Sequence, residues 1–182
     1  MRVEATVFPE VLVIQPHVNR DDRGFFLESF NQSRFREVTG VSATFVQDNH
    51  SKSAQNVLRG LHYQLPPKAQ GKLVRVVAGS VFDVVVDVRR SSKTFGEWWG
   101  TTMDAISMSQ LWIPPGFAHG FAALEDGTEV LYKTTDFYSS ADERAVNWAD
   151  PVLDIDWPIP GPANVSDKDA SAPFLSEAEV FE

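Results

Sequence analysis

Ser80-Val81-Phe82-Asp83-Val84-Val85-Val86-Asp87-Val88 reads as a β-strand, and it sets the fold class for the whole chain. Side chains alternate across a strand with a period of two. Phe82, Val84, Val86 and Val88 therefore share one face, and Asp83, Val85 and Asp87 share the other. Two carboxylates in so apolar a strand are unusual. Unpaired Asp is seldom buried, so the two either look out to solvent or turn inward as something more than strand filler, and the pattern leaves both readings open.

The same punctuation continues on either side. Short runs rich in Val, Phe, Thr, Tyr and Trp are separated by Gly, Pro, Asp and Ser, the signature of strands and turns. Further strands are predicted at Thr44–Gln47, Val57–Tyr63, Lys72–Ala78, Trp98–Asp104, Gln110–Ile113, His119–Ala123 and Glu129–Tyr138. One short helix is predicted from about Gln32 to Val38, with Asn31 as its N-cap. Many short strands with few helices make a mainly β fold, a sandwich or a barrel. From Asp150 onward the chain is richer in Pro and Asp and reads as an extended, ordered tail over the domain, since it carries Trp157.

The chain has 182 residues, a natural length for one domain with its own core. Hydrophobic content is 43% and charged content 23%, ordinary for a soluble globular protein. A net charge of −9 argues against general affinity for nucleic acid or anionic membranes. A small anionic ligand remains compatible, because a local cluster of Arg and Lys can hold a diphosphate. Without cysteine there is neither a disulfide framework nor a thiolate metal site. No secretory-type apolar core follows Met1, and no apolar run approaches a membrane span. The expectation is a cytoplasmic protein.

Several polar motifs sit in or beside these strands. His62, in Arg59-Gly60-Leu61-His62-Tyr63-Gln64, is a candidate base, because imidazole titrates close to neutral pH; a structural core histidine is the competing reading. Lys72 opens an apolar strand and either snorkels to solvent or points inward to stabilise an oxyanion. Tyr132, Thr134, Asp136 and Tyr138 share one strand face by alternation, and a phenol is a workable acid for an enolate. Asp169 is either a solvated tail carboxylate or the orienting partner of a histidine. Arg23, Arg59 and Lys168 are candidate phosphate contacts, with Phe25 and Phe26 as an aromatic platform. Strict alternation puts Arg59 and His62 on opposite faces, so if both line one pocket, Gly60 marks a bulge or kink.

His119 lies in Pro114-x-Gly116-x-x-His119, a pattern used in cupin-type β-barrels. Metal-binding cupins carry an earlier His-x-His pair followed by a glutamate. Here His62 is followed by Tyr63 and Gln64. One histidine per motif is too few ligands for a stable Zn or Fe site, so no metal is expected.

Taken in order and spacing, these motifs resemble the dTDP-4-dehydrorhamnose 3,5-epimerase family. The resemblance runs from Asp22–Phe30 and Phe45–Ser51 through Arg59–Gln64, Gln70–Val76, Phe82–Arg89, Leu111–Phe121 and Leu131–Tyr138 to Asp150–Pro158 and Ser166–Ala170. It implies a cupin-like jelly-roll β-barrel, usually a homodimer, with no metal and no organic cofactor. Along residues 1–182 it implies a single domain, with an N-terminal dimer arm over about 1–40, a barrel over about 41–149 and an extended C-terminal segment over about 150–182. The implied substrate is dTDP-4-dehydro-6-deoxy-D-glucose, inverted at carbons 3 and 5 through an enolate on the carbon 4 oxygen. By motif, His62 is similar to the family's base, Asp169 to its orienting partner, Lys72 to the enolate stabiliser and Tyr132 to the acid on the opposite face. Gln47, Asn49, Arg59, His119, Tyr138, Glu143 and Lys168 resemble substrate and diphosphate contacts. Arg23, Phe26 and Glu28 resemble nucleotide contacts that reach across the dimer.

Two departures from the family pattern are visible. Phe137 stands where many relatives carry tyrosine, and Glu143-Arg144-Ala145-Val146 replaces a common Glu-Arg-Gly-Ile. Relatives acting at one carbon share much of this framework, so a single-site epimerase is the alternative. A sugar-nucleotide-binding cupin without turnover is a third reading, and it leaves the base–acid pair without a purpose.

Overall fold

The structure, a computed structural model, describes residues 1–182. Two antiparallel sheets face each other. One has six strands in the order β1 (Arg2–Ala5), β2 (Leu12–Gln15), β10 (Gln110–Ile113), β7 (Lys72–Ala78), β12 (Thr128–Thr134) and β5 (Gln47–Ser53). The other has five, β13 (Glu143–Ala145), β6 (Leu58–Gln64), β11 (Phe117–Ala123), β8 (Ser80–Asp87) and β9 (Trp98–Asp104). From β5 to β13 the chain changes sheet at every connection except β8 to β9, which is the weave of a jelly roll. The sheets stay open at their edges and do not close into a barrel. Strands β3 (Val18–Asp21) and β4 (Gly24–Leu27) form a separate hairpin. Strands β1 and β2 join the six-stranded sheet, so that sheet begins within the segment expected to serve as an arm.

The central strand β8 is buried on both faces, which is why it reads as almost continuously apolar. Val81 and Val85 point between the sheets, into a core with Val74, Val76, Leu111, Phe121 and Val130. Val84 and Val86 point outward, where Leu61, Tyr63, Leu175, Ala178 and Val180 cover them. Of the two readings open to Asp83 and Asp87, the structure takes the buried one, since both have zero exposure. Each is buried because it is partnered. Asp87 accepts from Arg89 Nε (2.9 Å), Ser92 Oγ (2.6 Å) and Thr94 Oγ1 (2.7 Å). Burial alone would raise its pKa, but these donors outweigh that and bring it down to about 2.

Helix α1 (Gln32–Thr39) starts where predicted, with the Asn31 side chain accepting from the Arg34 amide and Gly40 closing it at φ 71°. Its Phe35 packs with Trp112, Leu73 and Ile14 on the outer face of the six-stranded sheet. The C-terminal segment is less extended than its composition suggests, for it contains a short helix α2 (Asp167–Ala170). Beyond α2 it is clamped to the five-stranded sheet. Tyr63 Oη donates to the Glu179 carbonyl at 2.7 Å, and the Phe181 amide donates to the Val88 carbonyl. Trp157 packs edge-on against Phe82 and donates its indole N–H to the Trp148 carbonyl.

Two predicted strands are shifted. The one placed at Thr44–Gln47 runs instead over Gln47–Ser53, a polar stretch with no strong strand signal. The one placed at Glu129–Tyr138 stops at Thr134. There Thr134 Oγ1 donates to the Asp136 carbonyl and Asp136 Oδ1 accepts from the Phe137 amide, which turns the chain. Tyr138 therefore reaches the site from a loop rather than by alternation with Tyr132.

Candidate active site

A cavity of about 520 Å³ opens at one end of the space between the sheets. Strand β6 supplies Arg59 and His62, β7 Lys72, β11 His119, β12 Tyr132, β5 Gln47 and Asn49, and β13 Glu143. Tyr138 comes from the loop after β12, and Lys168 and Asp169 from α2. Arg59 and His62 line the same cavity despite their spacing because pairing between β6 and β11 slips by one residue between His119 and Phe121. Gly60 sits at that slip with φ 137°, and a Cβ there would lie 2.5 Å from Gly120 Cα. Only glycine permits both this backbone and this approach.

His62 Nε2 is 2.6 Å from Asp169 Oδ1, which leaves Nδ1 without a protein partner. The Ser166 hydroxyl caps α2 by accepting from the Asp169 amide, which fixes the carboxylate. Burial works against ionisation of Asp169, yet the His62 contact and donation from Ser166 and the Gly60 amide hold it below the usual carboxylate range.

Lys72 is buried, and its Nζ donates to the His62 carbonyl at 2.9 Å. Burial lowers its pKa to about 8, opposed by the negative charge of Asp83 and then Glu143. Tyr132 has no hydrogen-bond partner for its hydroxyl within the chain, and burial raises its pKa above that of a free phenol. His119 stands opposite His62 in the sheet register and is bound to Asp83, with Nε2 at 3.0 and 2.9 Å from the two carboxylate oxygens.

At the mouth, Tyr138 Oη donates to Glu143 Oε2 at 2.9 Å, and the Lys168 ammonium binds the same oxygen. Burial would raise the Glu143 pKa, but Lys168 and Tyr138 outweigh it and lower it. Gln47 accepts from the Tyr138 amide and donates to Asn49. Arg59 donates to Ser53 Oγ and the Lys52 carbonyl, which holds its guanidinium at the rim.

Arg23, Phe26 and Glu28 are not brought to this cavity. Arg23 binds Asp21 on the exposed β3–β4 turn, Phe26 is 72% exposed, and Glu28 accepts from Asn31. Asp83 does not itself line the cavity but binds His119, which does; a carboxylate in an otherwise apolar strand is its one sequence signal. Ser51, Asn164 and Ser166 also line the cavity; Ser51 and Ser166 fall within motifs that carry the resemblance but have no role of their own in the sequence reading, and Asn164 carries no signal. No three His, Cys, Asp or Glu side chains converge in a metal-binding arrangement. No helix is long and apolar enough to cross a membrane.

A carboxylate-bound imidazole, a buried ammonium and a free phenol around one cavity can remove a proton beside a carbonyl, steady the oxyanion and return a proton. The family described as dTDP-4-dehydrorhamnose 3,5-epimerase matches residues 5–177. The dTDP-4-dehydrorhamnose 3,5-epimerase of Shigella flexneri is 54% identical over 181 residues, covering 100% of this chain and 99% of that protein. The crystal structure of dTDP-6-deoxy-D-glucose-3,5-epimerase from Legionella pneumophila, in complex with dTDP-4-keto-L-rhamnose, superposes with a TM-score of 0.93 at 46% identity, covering 97% of this chain and 93% of that one. A 3'-monoepimerase from Streptomyces bikiniensis, in complex with dTDP-quinovose, has a TM-score of 0.89 at 34% identity, covering 97% and 88%. With a cupin-like fold and a match along nearly its whole length, the chain belongs to the dTDP-4-dehydrorhamnose 3,5-epimerase family.

Proposed function

We propose that this protein converts dTDP-4-dehydro-6-deoxy-D-glucose to dTDP-4-dehydro-L-rhamnose by inverting carbons 3 and 5, in dTDP-L-rhamnose biosynthesis in the cytoplasm. The observation that carries the reading is the grouping of the His62–Asp169 pair, Lys72 and the free Tyr132 hydroxyl around one cavity. Carbons 3 and 5 flank the carbon 4 ketone, so their protons are acidified. His62 removes each proton, and Asp169 fixes its ring and stabilises the imidazolium that forms. The electron pair moves to the carbon 4 oxygen, where the Lys72 ammonium meets the developing charge. Tyr132 returns a proton from the opposite face, and its raised pKa keeps the phenol protonated for that step.

Lys168 and Arg59 serve the diphosphate, with Gln47, Asn49, His119, Tyr138 and Glu143 as further substrate contacts. The protein works as a homodimer. Arg23, Phe26 and Glu28 are too far from their own chain's cavity to line it, and the projecting β3–β4 hairpin delivers them to the nucleotide in the partner's cavity. In domain terms residues 1–182 act as one unit, in which this hairpin is the part that serves the neighbour.

The test is NMR of the substrate incubated with the protein in heavy water. Deuterium at both carbons, with a product that a reductase converts to the L-rhamnose sugar nucleotide, is the expected result. Deuterium at one carbon alone would make the protein a single-site epimerase like the Streptomyces relative. Absence of exchange with tight dTDP binding would reduce it to a binding protein.

A further inference from the structure

We infer that Asp83 is a positioning residue for the reaction, its buried carboxylate fixing the His119 ring and countering the charge of Lys72. The inference rests on the catalytic reading above and adds a residue to it. Asp83 lies in the middle of β8 with zero exposure, among Val81, Val85 and Phe121. A carboxylate there is costly unless it is paired. Its side chain meets one hydrogen-bonding partner, His119 Nε2, which both oxygens approach within 3.0 Å.

That contact decides how His119 meets a ligand. With Nε2 held by Asp83, Nδ1 is the ring nitrogen without a protein partner, and His119 lines the cavity opposite His62. The carboxylate requires the proton on Nε2. It thereby selects the tautomer and the ring orientation, as Asp169 does for His62. The site therefore holds two carboxylate–imidazole pairs on adjacent strands. One is partly exposed to the cavity, and the other is set back in the core.

Lys72 is the second group served. Its ammonium donates to the His62 carbonyl and feels the charges of Asp83 from β8 and Glu143 from β13, and it shares the cavity with His62 from β6, His119 from β11 and Tyr132 from β12, with Asp169 bound to His62. Of the two carboxylates that favour its charged form, Asp83 has the larger effect. Without that charge, burial pushes Lys72 toward the neutral amine, which cannot stabilise an enolate.

The experiment compares wild type with Asp83→Asn in turnover, dTDP affinity and pH profile. The expected result is a fall in kcat of about tenfold or more, short of the ~10²–10³-fold of losing an oxyanion donor outright. Binding of dTDP stays within about twofold, because Asp83 does not itself line the cavity, and the alkaline limb moves to lower pH. An unchanged kcat and unchanged limb with a lower Tm would make Asp83 purely structural and overturn the inference. Equal losses in kcat and dTDP affinity would overturn it too. Should the variant fail to fold, ¹⁵N-histidine NMR of the wild type decides. His119 protonated at Nε2 supports the inference, and His119 protonated at Nδ1 alone refutes it. A wild type without turnover would instead sink the catalytic reading, which the NMR arm does not depend on.

Discussion

Asp169 and His62, 107 residues apart in the chain, meet at 2.6 Å, and the same histidine's carbonyl accepts from Lys72 at 2.9 Å. One short piece of β6 thus ties together the C-terminal helix and the ammonium. Movement at either contact displaces the imidazole within the cavity.

Asp169→Asn keeps the shape of the pair and removes its charge. The amide cannot stabilise the imidazolium and can present the wrong donor to the ring. Turnover is expected to fall by about 10²–10⁴-fold. Calorimetric titration with dTDP is expected to give an unchanged affinity. A matching loss of affinity would mean that Asp169 supports the binding site rather than the base.

On the proposed mechanism Lys72 acts in its charged form, and burial lowers its pKa to about 8. The rate profile is therefore expected to bend downward above about pH 8, as the ammonium loses its proton. Lys72→Met is expected to lower kcat by about 10²–10³-fold at all pH values and to remove that limb. Persistence of the limb in the variant would assign it to another group.

Tyr132→Phe retains the ring and removes the proton. The variant is expected to exchange substrate protons with heavy water while yielding little inverted product, a loss of about 10²–10⁴-fold in the second half of the reaction. Normal formation of the inverted sugar would show that another group delivers the proton.

The hairpin in trans is tested by mixing subunits. Phe26→Ala spoils the hairpin and His62→Ala spoils the base, and each variant alone is expected to be nearly inactive. After random reassociation, half of the dimers are mixed and each has one intact site, so activity is expected to recover to about a quarter of wild type. No recovery on mixing would place Phe26 in its own chain's site.

Stability on acidification depends on buried carboxylates. Asp87 is lowered from 3.8 to about 2. A depressed carboxylate stabilises the fold above its unfolded pKa, and that contribution disappears as pH falls through the folded one. Asp87 is thus expected to contribute about 2–3 kcal/mol above roughly pH 4, lost between about 4 and 2. Chemical denaturation of wild type and Asp87→Asn across that range checks this, and the two curves are expected to converge at the acid end.

Much of the fold was legible because it is local. The strands Lys72–Ala78, Trp98–Asp104 and Gln110–Ile113 were predicted to the residue, as was the start of α1 at its Asn31 cap. Two-residue alternation and capping are written in neighbouring residues. Strand β5 was misplaced because its sequence, Gln47–Ser53, is polar and carries strand structure only through pairing with β12. Strand β12 was overextended because the turn at Asp136 is made by side-chain contacts that no apolar pattern reveals.

The sequence by itself determined the β class, the order of the motifs and the family, because a chain's pattern and motif spacing do not depend on what folds against what. Only the tertiary structure decided which of those motifs share a cavity. It placed Asp169 against His62, turned Arg59 and His62 the same way through the slip at Gly60, and buried Asp83 against His119. It also left Arg23, Phe26 and Glu28 outside their own chain's cavity. The physical reason is that a carboxylate's surroundings are set by residues far away in sequence, and those surroundings decide whether it is solvated, charged or paired.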